Sequence, residues 1–253
     1  MSDLIPMSAA PVVPAPSRVA LGDDAPGIEE LFLFAREAEL RVQSLRMTIE
    51  EHSMTARGEE IVRHEIQLRH PGQVRVTSRR SEEPLSKEYD VWLSDGRTAQ
   101  VFKAARNSVS QRPLHPGVAG RDGDNLPLAA RQYQVLTQLP SGTLADTFIH
   151  PHGLFRNVLV TGPLAIEGTR SVGGREAIVV RAQHPRAAKV LVDRPDRSVE
   201  VGIDRATGFL LSLTETVAGN ITHDAEVTSL EVDPTIFDSA FELKLSSDVR
   251  RLY

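Results

Sequence analysis

Histidines are the side chains in this sequence whose spacing first points to chemistry. His150 and His152 lie two positions apart, and His115 and His184 occur elsewhere in the chain. Two histidines at that spacing on a strand would share one face, which a zinc site could use. Such a site also needs further ligands and supporting hydrogen bonds, and the sequence identifies none. We therefore predict surface or core-edge histidines and no metal, with a metal-assisted hydrolase as the least favoured function.

The other motifs that could suggest catalysis have simpler explanations. Asp122 and Asp124 flank a glycine and could bind Ca²⁺, but an Asp-Gly-Asp sequence is more typical of a solvated loop. Residues 168–174 are glycine-rich but lack the strand-to-helix context of a dinucleotide site. The chain has no cysteine, no P-loop and no Gly-x-Ser-x-Gly or His-Glu-x-x-His motif. We predict no catalytic residues, no cofactor and a non-enzymatic protein.

Composition is that of an ordinary globular protein, with 40% hydrophobic and 25% charged residues. The net charge of -5 and the scattered arginines argue against a nucleic-acid partner. Residues 1–25 are rich in proline, alanine and serine and are predicted to be a disordered tail before one domain at 26–253. No signal peptide or membrane-spanning segment is recognised. We expect a cytoplasmic protein if the chain is complete, and an envelope-associated one if an export signal was removed.

The elements that must position any site are predicted from periodicity. Apolar residues at helical spacing predict a helix over 28–45, a second over 128–138, and a lid-like helix-turn element over 143–160. Residues 106–127 are predicted to be a long surface loop. Period-two alternation and turn residues predict five strands before that loop, at 46–53, 60–69, 73–79, 89–93 and 98–103.

A meander of short strands follows, and its clearest part is the hairpin at 199–217. Asp204 and Gly208 are predicted to form its turn rather than to do chemistry, and Phe209, Leu211 and Leu213 share one face. The six strands of the meander are predicted at 164–172, 175–182, 189–193, 198–204, 209–217 and 221–232, before a helical turn at 233–238. Short turns make neighbouring strands antiparallel, so about eleven strands should form one curling sheet.

Three stretches resemble the LolA-like lipoprotein-carrier superfamily. They are Val91-Trp92-Leu93-Ser94-Asp95-Gly96, Val172-Gly173-Gly174-Arg175-Glu176-Ala177-Ile178-Val179-Val180, and the hairpin from Val201-Gly202-Ile203-Asp204 to Thr207-Gly208-Phe209-Leu210-Leu211, with a closing Phe241. With the leading helix, the resemblance covers about residues 28–245. The superfamily includes the periplasmic carrier of outer-membrane lipoproteins, a periplasmic regulator of the envelope-stress sigma pathway, and mycobacterial lipid-binding lipoproteins.

The resemblance implies an α+β, mainly β fold: an unclosed antiparallel half-barrel with helices packed on its concave side. In the family that side holds or senses acyl chains or lipidated peptides. We therefore expect a binding protein for an apolar ligand, a lipid or a lipidated or extended peptide. The alternative is a cytoplasmic interaction or regulatory module that contacts a protein partner through its sheet edge, a helix face or the 106–127 loop.

Large apolar residues beside loops or sheet are the predicted pocket lining. A filled hydrophobic core is an equally good explanation of the same residues, and a hollow concave side would favour ligand carriage. The six candidate ligand-binding residues are Trp92, Phe102, Leu136, Phe148, Phe155 and Phe209.

Overall fold

A twelve-stranded sheet is the frame of the chain over the residues that the computed structural model describes, 21–22, 24–56, 58–80, 86–114, 135–185 and 195–252. The strands are β1 (Ser44–Thr55), β2 (Gly58–Arg69), β3 (Gln73–Arg79), β4 (Tyr89–Asp95), β5 (Thr98–Lys103), β6 (Ser108–Pro113), β7 (Leu164–Val172), β8 (Arg175–Gln183), β9 (Arg197–Asp204), β10 (Leu210–Val217), β11 (Asn220–Val232) and β12 (Arg250–Leu252). The helices are α1 (Ile28–Arg36), α2 (Leu144–Ile149) and α3 (His152–Asn157).

The strand order shows how the two halves of the chain join. It runs β12-β6-β5-β4-β3-β2-β1-β11-β10-β9-β8-β7, so β1 and β11 pair at the centre and β12 and β7 are the two edges. Every neighbouring pair is antiparallel except β12 with β6, which is parallel. The predicted curled, unclosed sheet is confirmed, with a parallel pair at one edge that the sequence did not predict.

Helices cover one face of the sheet, which we call the concave face. Leu45, Met47 and Ile49 alternate along β1 and are buried in one core cluster with residues of α1, α2 and α3. This is the alternation that a strand with one buried face requires. Phe32 of α1 stacks on Phe155 of α3, with ring centroids 4.3 Å apart, so the two helices pack as one layer.

The C-terminal segment covers part of the opposite face. Ile236 and Phe241 pack on Leu93, and the guanidinium of Arg75 donates to the carbonyl oxygens of Ala240 and Glu242. These contacts carry the chain to the edge of the sheet, where β12 pairs with β6.

The β2–β3 turn and the β4–β5 turn contact each other at one end of the concave face. A Cβ added to Gly72, in the β2–β3 turn, would lie 2.6 Å from Cα of Gly96, in the β4–β5 turn. Both glycines have positive φ, +82° and +87°, which side chains other than glycine adopt rarely. The sequence therefore allows these two turns to touch, and they support the site described below.

The first predicted helix is too long. It ends at Arg36 instead of residue 45, a 3-10 turn follows at Ala38–Arg41, and β1 begins at Ser44. The guanidinium of Arg41 donates to the carbonyl oxygen of Phe34 at 2.7 Å, which satisfies the helix end. Asp233 then accepts the backbone N–H of Gln43 and Ser44, at 2.6 and 3.1 Å, and fixes the extended chain.

Other boundaries also differ. Residues 108–113 form β6 within the predicted loop, and the rest of that loop from 115 lies outside the described residues. The predicted helix over 128–138 is described only from 135, and residues 135–138 are not helical. The predicted strand at 189–193 also lies outside the described residues, and the helical turn predicted at 233–238 is found at Asp238–Phe241.

The hairpin at 199–217 is confirmed as β9 and β10. Asp204 closes the turn as predicted: its carboxylate accepts the backbone N–H of Thr207 at 3.1 Å and pairs with Arg175 at 2.8 Å. Gly208 has φ +85°, and a Cβ there would lie 3.0 Å from the carbonyl oxygen of Phe34. The turn therefore packs directly on α1.

Candidate functional site

A cavity of about 710 Å³ lies between the helices α1, α2 and α3, the end of β6 and residues 135–141. We call this region the cavity end of the concave face. Its apolar wall is formed by Pro113 and Leu114 at the end of β6 and by Val135 and Leu139. A volume of this size is within the range of small-molecule sites, about 300–1,000 Å³.

The polar wall of the cavity is centred on His150, whose side chain is only 8% exposed. His150 follows α2 and lies between two carboxylates. Its Nδ1 is 2.9 Å from Asp146 Oδ1, and its Nε2 is 3.2 Å from Glu39 Oε2. Burial lowers the pKa of His150, but the hydrogen bonds to Asp146 and Glu39 outweigh burial and raise it to about 9. At neutral pH the imidazolium donates to both carboxylates.

Glu39 also holds the segment that forms the apolar wall. It is 1% exposed, and its Oε1 accepts the backbone N–H of Leu136 at 2.9 Å. The next residue, Thr137, is fully buried: its Oγ1 accepts the N–H of Gly72 and lies 2.8 Å from His70 Nδ1. Burial keeps the pKa of His70 below its usual value. The buried polar groups thus fix residues 136–137 against the sheet.

Two further basic residues line the cavity beside α1 and α3. Arg36 ends α1, and its Nη2 donates to Glu37 Oε1 at 3.0 Å. His152 begins α3, and burial together with the positive charges of Arg36 and Arg156 lowers its pKa. His152 is therefore neutral at neutral pH.

A second polar cluster lies at the opposite end of the same face, beside the β1–β2 connection. We call this region the hairpin end, after the β1–β2 hairpin and not the β9–β10 hairpin. Glu51 follows Ile49 on the concave side of β1, and its carboxylate bridges His223 Nε2 at 2.9 Å and His64 Nε2 at 2.8 Å. His64 Nδ1 is 2.8 Å from Ser78 Oγ. The hydrogen bonds from His223 and His64 lower the pKa of Glu51 to about 2, and the bond to Glu51 raises that of His223.

The six residues predicted from sequence lie behind or away from the cavity, and none belongs to its described lining. Four of them meet in the main core cluster: Trp92, Phe148, Phe155 and Phe209. Phe102 lies on the other face of the sheet, packed with Val91 and Val109. Leu136 is half-buried beside the cavity, where its backbone binds Glu39.

The two histidines do not share a strand: His150 follows α2, and His152 begins α3. Both ring nitrogens of His150 are engaged by carboxylates, and His115 lies outside the described residues. Across the described part of the chain, no group of three or more His, Cys, Asp or Glu side chains is arranged to hold a metal ion.

The sequence reasoning missed Glu39, Asp146 and Arg36. Asp146 and His150 are four residues apart on a segment predicted to be helical. Side chains at that spacing lie next to each other on a helix, so this contact could have been predicted from the sequence. Glu39 is 111 residues from His150, and no local pattern connects them.

Comparison with solved structures finds likeness of fold. An uncharacterized conserved protein from Thermus thermophilus is 11% identical with a TM-score of 0.50, over 88% of this chain and 98% of that one. MucB, also solved in complex with MucA from Pseudomonas aeruginosa, is 19% identical with a TM-score of 0.49. A LolA superfamily protein from Nitrosomonas europaea is 12% identical with a TM-score of 0.32, over 87% of this chain and 99% of that one.

The match to MucB covers 85% of this chain and 62% of the MucB chain, so this chain spans under two thirds of that protein. No family model and no curated protein matches the sequence. The architecture predicted from the sequence is confirmed: an unclosed curled sheet with helices on its concave face. No helix among the described residues is long and apolar enough to cross a membrane.

Proposed function

We propose that this chain is a non-enzymatic binding protein that holds an apolar ligand, such as an acyl chain, a lipid or a lipidated peptide, in the cavity end of its half-barrel. The observation that carries the proposal is the cavity of about 710 Å³ between the helices, the end of β6 and residues 135–141. Its described wall combines apolar side chains, among them Leu114, Val135 and Leu139, with polar and charged ones, and we propose that the ligand packs on the apolar part.

The predicted aromatic residues have a supporting role in this proposal. Phe148 and Phe155 are 0% and 2% exposed, on the helices that also supply His150 and Gly153 to the cavity wall. We propose that they hold this wall rigid, because a close-packed core has low compressibility. A ligand then meets a preformed cavity instead of having to open the core.

Gly153 offers a direct test. It lies on α3 and lines the cavity, and a Cβ added there meets no atom within 4 Å. We expect Gly153→Trp to fill the cavity and abolish binding of the apolar fluorophore phenylnaphthylamine and of any lipid that co-purifies in native mass spectrometry. Gly153→Ala is the matched control, because it makes the same backbone change with little added volume.

Both variants should melt within a few degrees of the natural protein, which separates blocking from unfolding. Unchanged probe binding by a folded Gly153→Trp variant would contradict the proposal. The same holds if the natural protein binds no apolar probe.

A second function, contact with a protein partner, is favoured by apolar residues exposed at the hairpin end. Met54, Ile61 and Ile221 are 61%, 49% and 58% exposed, and Met54 and Ile221 line a groove of about 290 Å³. A photo-crosslinking residue at Ile61 should capture one discrete partner, and Met54→Glu should prevent that capture. Crosslinking at Val160, exposed in a different region, is the control; equal capture at both positions would count against this function.

A further inference from the structure

Arg36 is a buried cation with an unused donor. Its side chain is 8% exposed, and its Nε finds no hydrogen-bond acceptor among the residues that the structure describes. Glu37 takes only the Nη2 donor. A buried guanidinium donor without an acceptor is costly, since the group has lost its water as well. Arg36 also lines the cavity, so a molecule bound there lies beside this guanidinium.

Two guanidinium groups, those of Arg36 and Arg112, line the cavity. The His150 imidazolium in the same lining is already paired by Asp146 and Glu39, and Glu37 pairs Arg36 through Nη2 alone. Asp146 already accepts a hydrogen bond from His150. Burial lowers the pKa of His152, and the positive charges of Arg36 and Arg156 lower it further.

We propose that the cavity takes an amphiphile with one anionic head group, a carboxylate or a phosphate, whose oxygens pair with Arg36 and Arg112 while its apolar chain lies along the apolar wall. This inference rests on the proposed function and names the chemical class of its ligand. Guanidinium groups suit both anions, because their donors form a planar fork that matches two oxygens. Glu37 binds Nη2 and not Nε, and its own Oε2 also has no hydrogen-bond partner among the described residues.

The test compares ligands that share a chain and differ in the head. Hexadecanoic acid, hexadecyl phosphate and hexadecanol compete with phenylnaphthylamine for the natural protein and for Arg36→Gln. A charge-assisted hydrogen bond is worth about 1.5–3 kcal/mol, or roughly 10- to 100-fold in affinity. We expect Arg36→Gln to lower the affinity for at least one of the two anionic ligands by about tenfold or more. The affinity for hexadecanol should stay nearly unchanged.

Two further variants serve as controls for nearby charge and for folding. Arg156→Gln removes a nearby positive charge that is not part of the described cavity lining and should weaken the binding of the anionic ligands much less than Arg36→Gln does. Arg112 is exposed, so Arg112→Gln should fold even if Arg36→Gln does not. It should lower the affinity for the two anionic ligands and leave that for hexadecanol unchanged. Which anion gains more from the arginines distinguishes a carboxylate from a phosphate head.

His152 gives a second readout. A bound anion offsets the field of Arg36 and Arg156, so the pKa of His152 followed by NMR should rise with the anionic ligands and stay constant with hexadecanol. If hexadecanol binds, Gly153→Trp blocks it, and the anions gain nothing from Arg36, the head-group inference is wrong while the proposed function stands. If none of the three ligands binds, or if Gly153→Trp blocks none of them, the proposed function itself fails.

Discussion

The two ends of the concave face use the same side-chain types in opposite proportions. At the cavity end one histidine, His150, lies between two carboxylates, whereas at the hairpin end one carboxylate, Glu51, lies between two histidines. The pKa of His150 rises to about 9 and that of Glu51 falls to about 2. Each central group is thus held in its charged form by its neighbours.

The two clusters differ in how far their side chains are buried and in which elements of the fold they connect. Glu39 and His150 are 1% and 8% exposed and connect the turn after α1 to α2, while Glu51 and His223 are 21% and 23% exposed and lie on adjacent strands. Adjacent strands are already joined by backbone hydrogen bonds, but nothing of that kind holds helices on a sheet. The cavity end therefore depends more on its charges than the hairpin end does.

Glu39→Gln should be the most damaging change in either cluster. It leaves the buried His150 imidazolium with a single carboxylate, and breaking a buried ion pair costs about 3–5 kcal/mol. We expect a loss of about 3 kcal/mol in the free energy of unfolding, measured with urea. Glu29→Gln, an exposed acid on α1, should change it by less than about 0.5 kcal/mol. Equal losses in the two variants would mean that the cluster contributes nothing particular.

The pH dependence of stability should reveal the same cluster at alkaline pH. The folded protein holds the His150 proton more tightly than the unfolded chain does, because the folded pKa is about 9 against an ordinary 6.5. Its stabilisation is complete below pH 6.5 and is lost as the pH rises through 9, a change of about 3 kcal/mol. NMR titration should place His150 near 9 and His152 below 6.5. A His150 titration near 6.5 would contradict the ion pairing seen here.

The architecture was largely predictable because its signals are local. Alternation and turn residues such as Asp204 and Gly208 locate β9 and β10, and the resemblance supplies the half-barrel. The cavity was not predictable, because Glu39, His70 and Thr137 meet only after the sheet has curled and the chain has crossed it. The large apolar residues follow the ordinary rule that such side chains fill cores, so hydrophobicity alone could not locate a cavity lined partly by charged groups.

Glu51→Gln should cost less, about 1–2 kcal/mol, because Glu51 is partly exposed and water screens its ion pairs. Its folded pKa lies below the ordinary value, so its contribution is present above pH 4.5 and is lost as the pH falls through about 2. Acid unfolding of the natural protein should therefore show a loss of stability in this range that the variant lacks. Glu50→Gln, on the other face of β1 and 47% exposed, is the control.

Ser78→Ala should have the smallest effect, and it tests the contrast between the two ends most directly. The hydroxyl of Ser78 makes one hydrogen bond to a half-buried histidine, and water can replace it, so we expect a loss of about 0.5–1 kcal/mol. Thr137→Ala deletes the hydroxyl that serves Gly72 and His70 at the cavity end, where Thr137 is fully buried. Because that change leaves two buried polar groups without this partner, it should cost about 2–3 kcal/mol. Equal costs for the two deletions in urea unfolding would mean that burial does not distinguish the two ends.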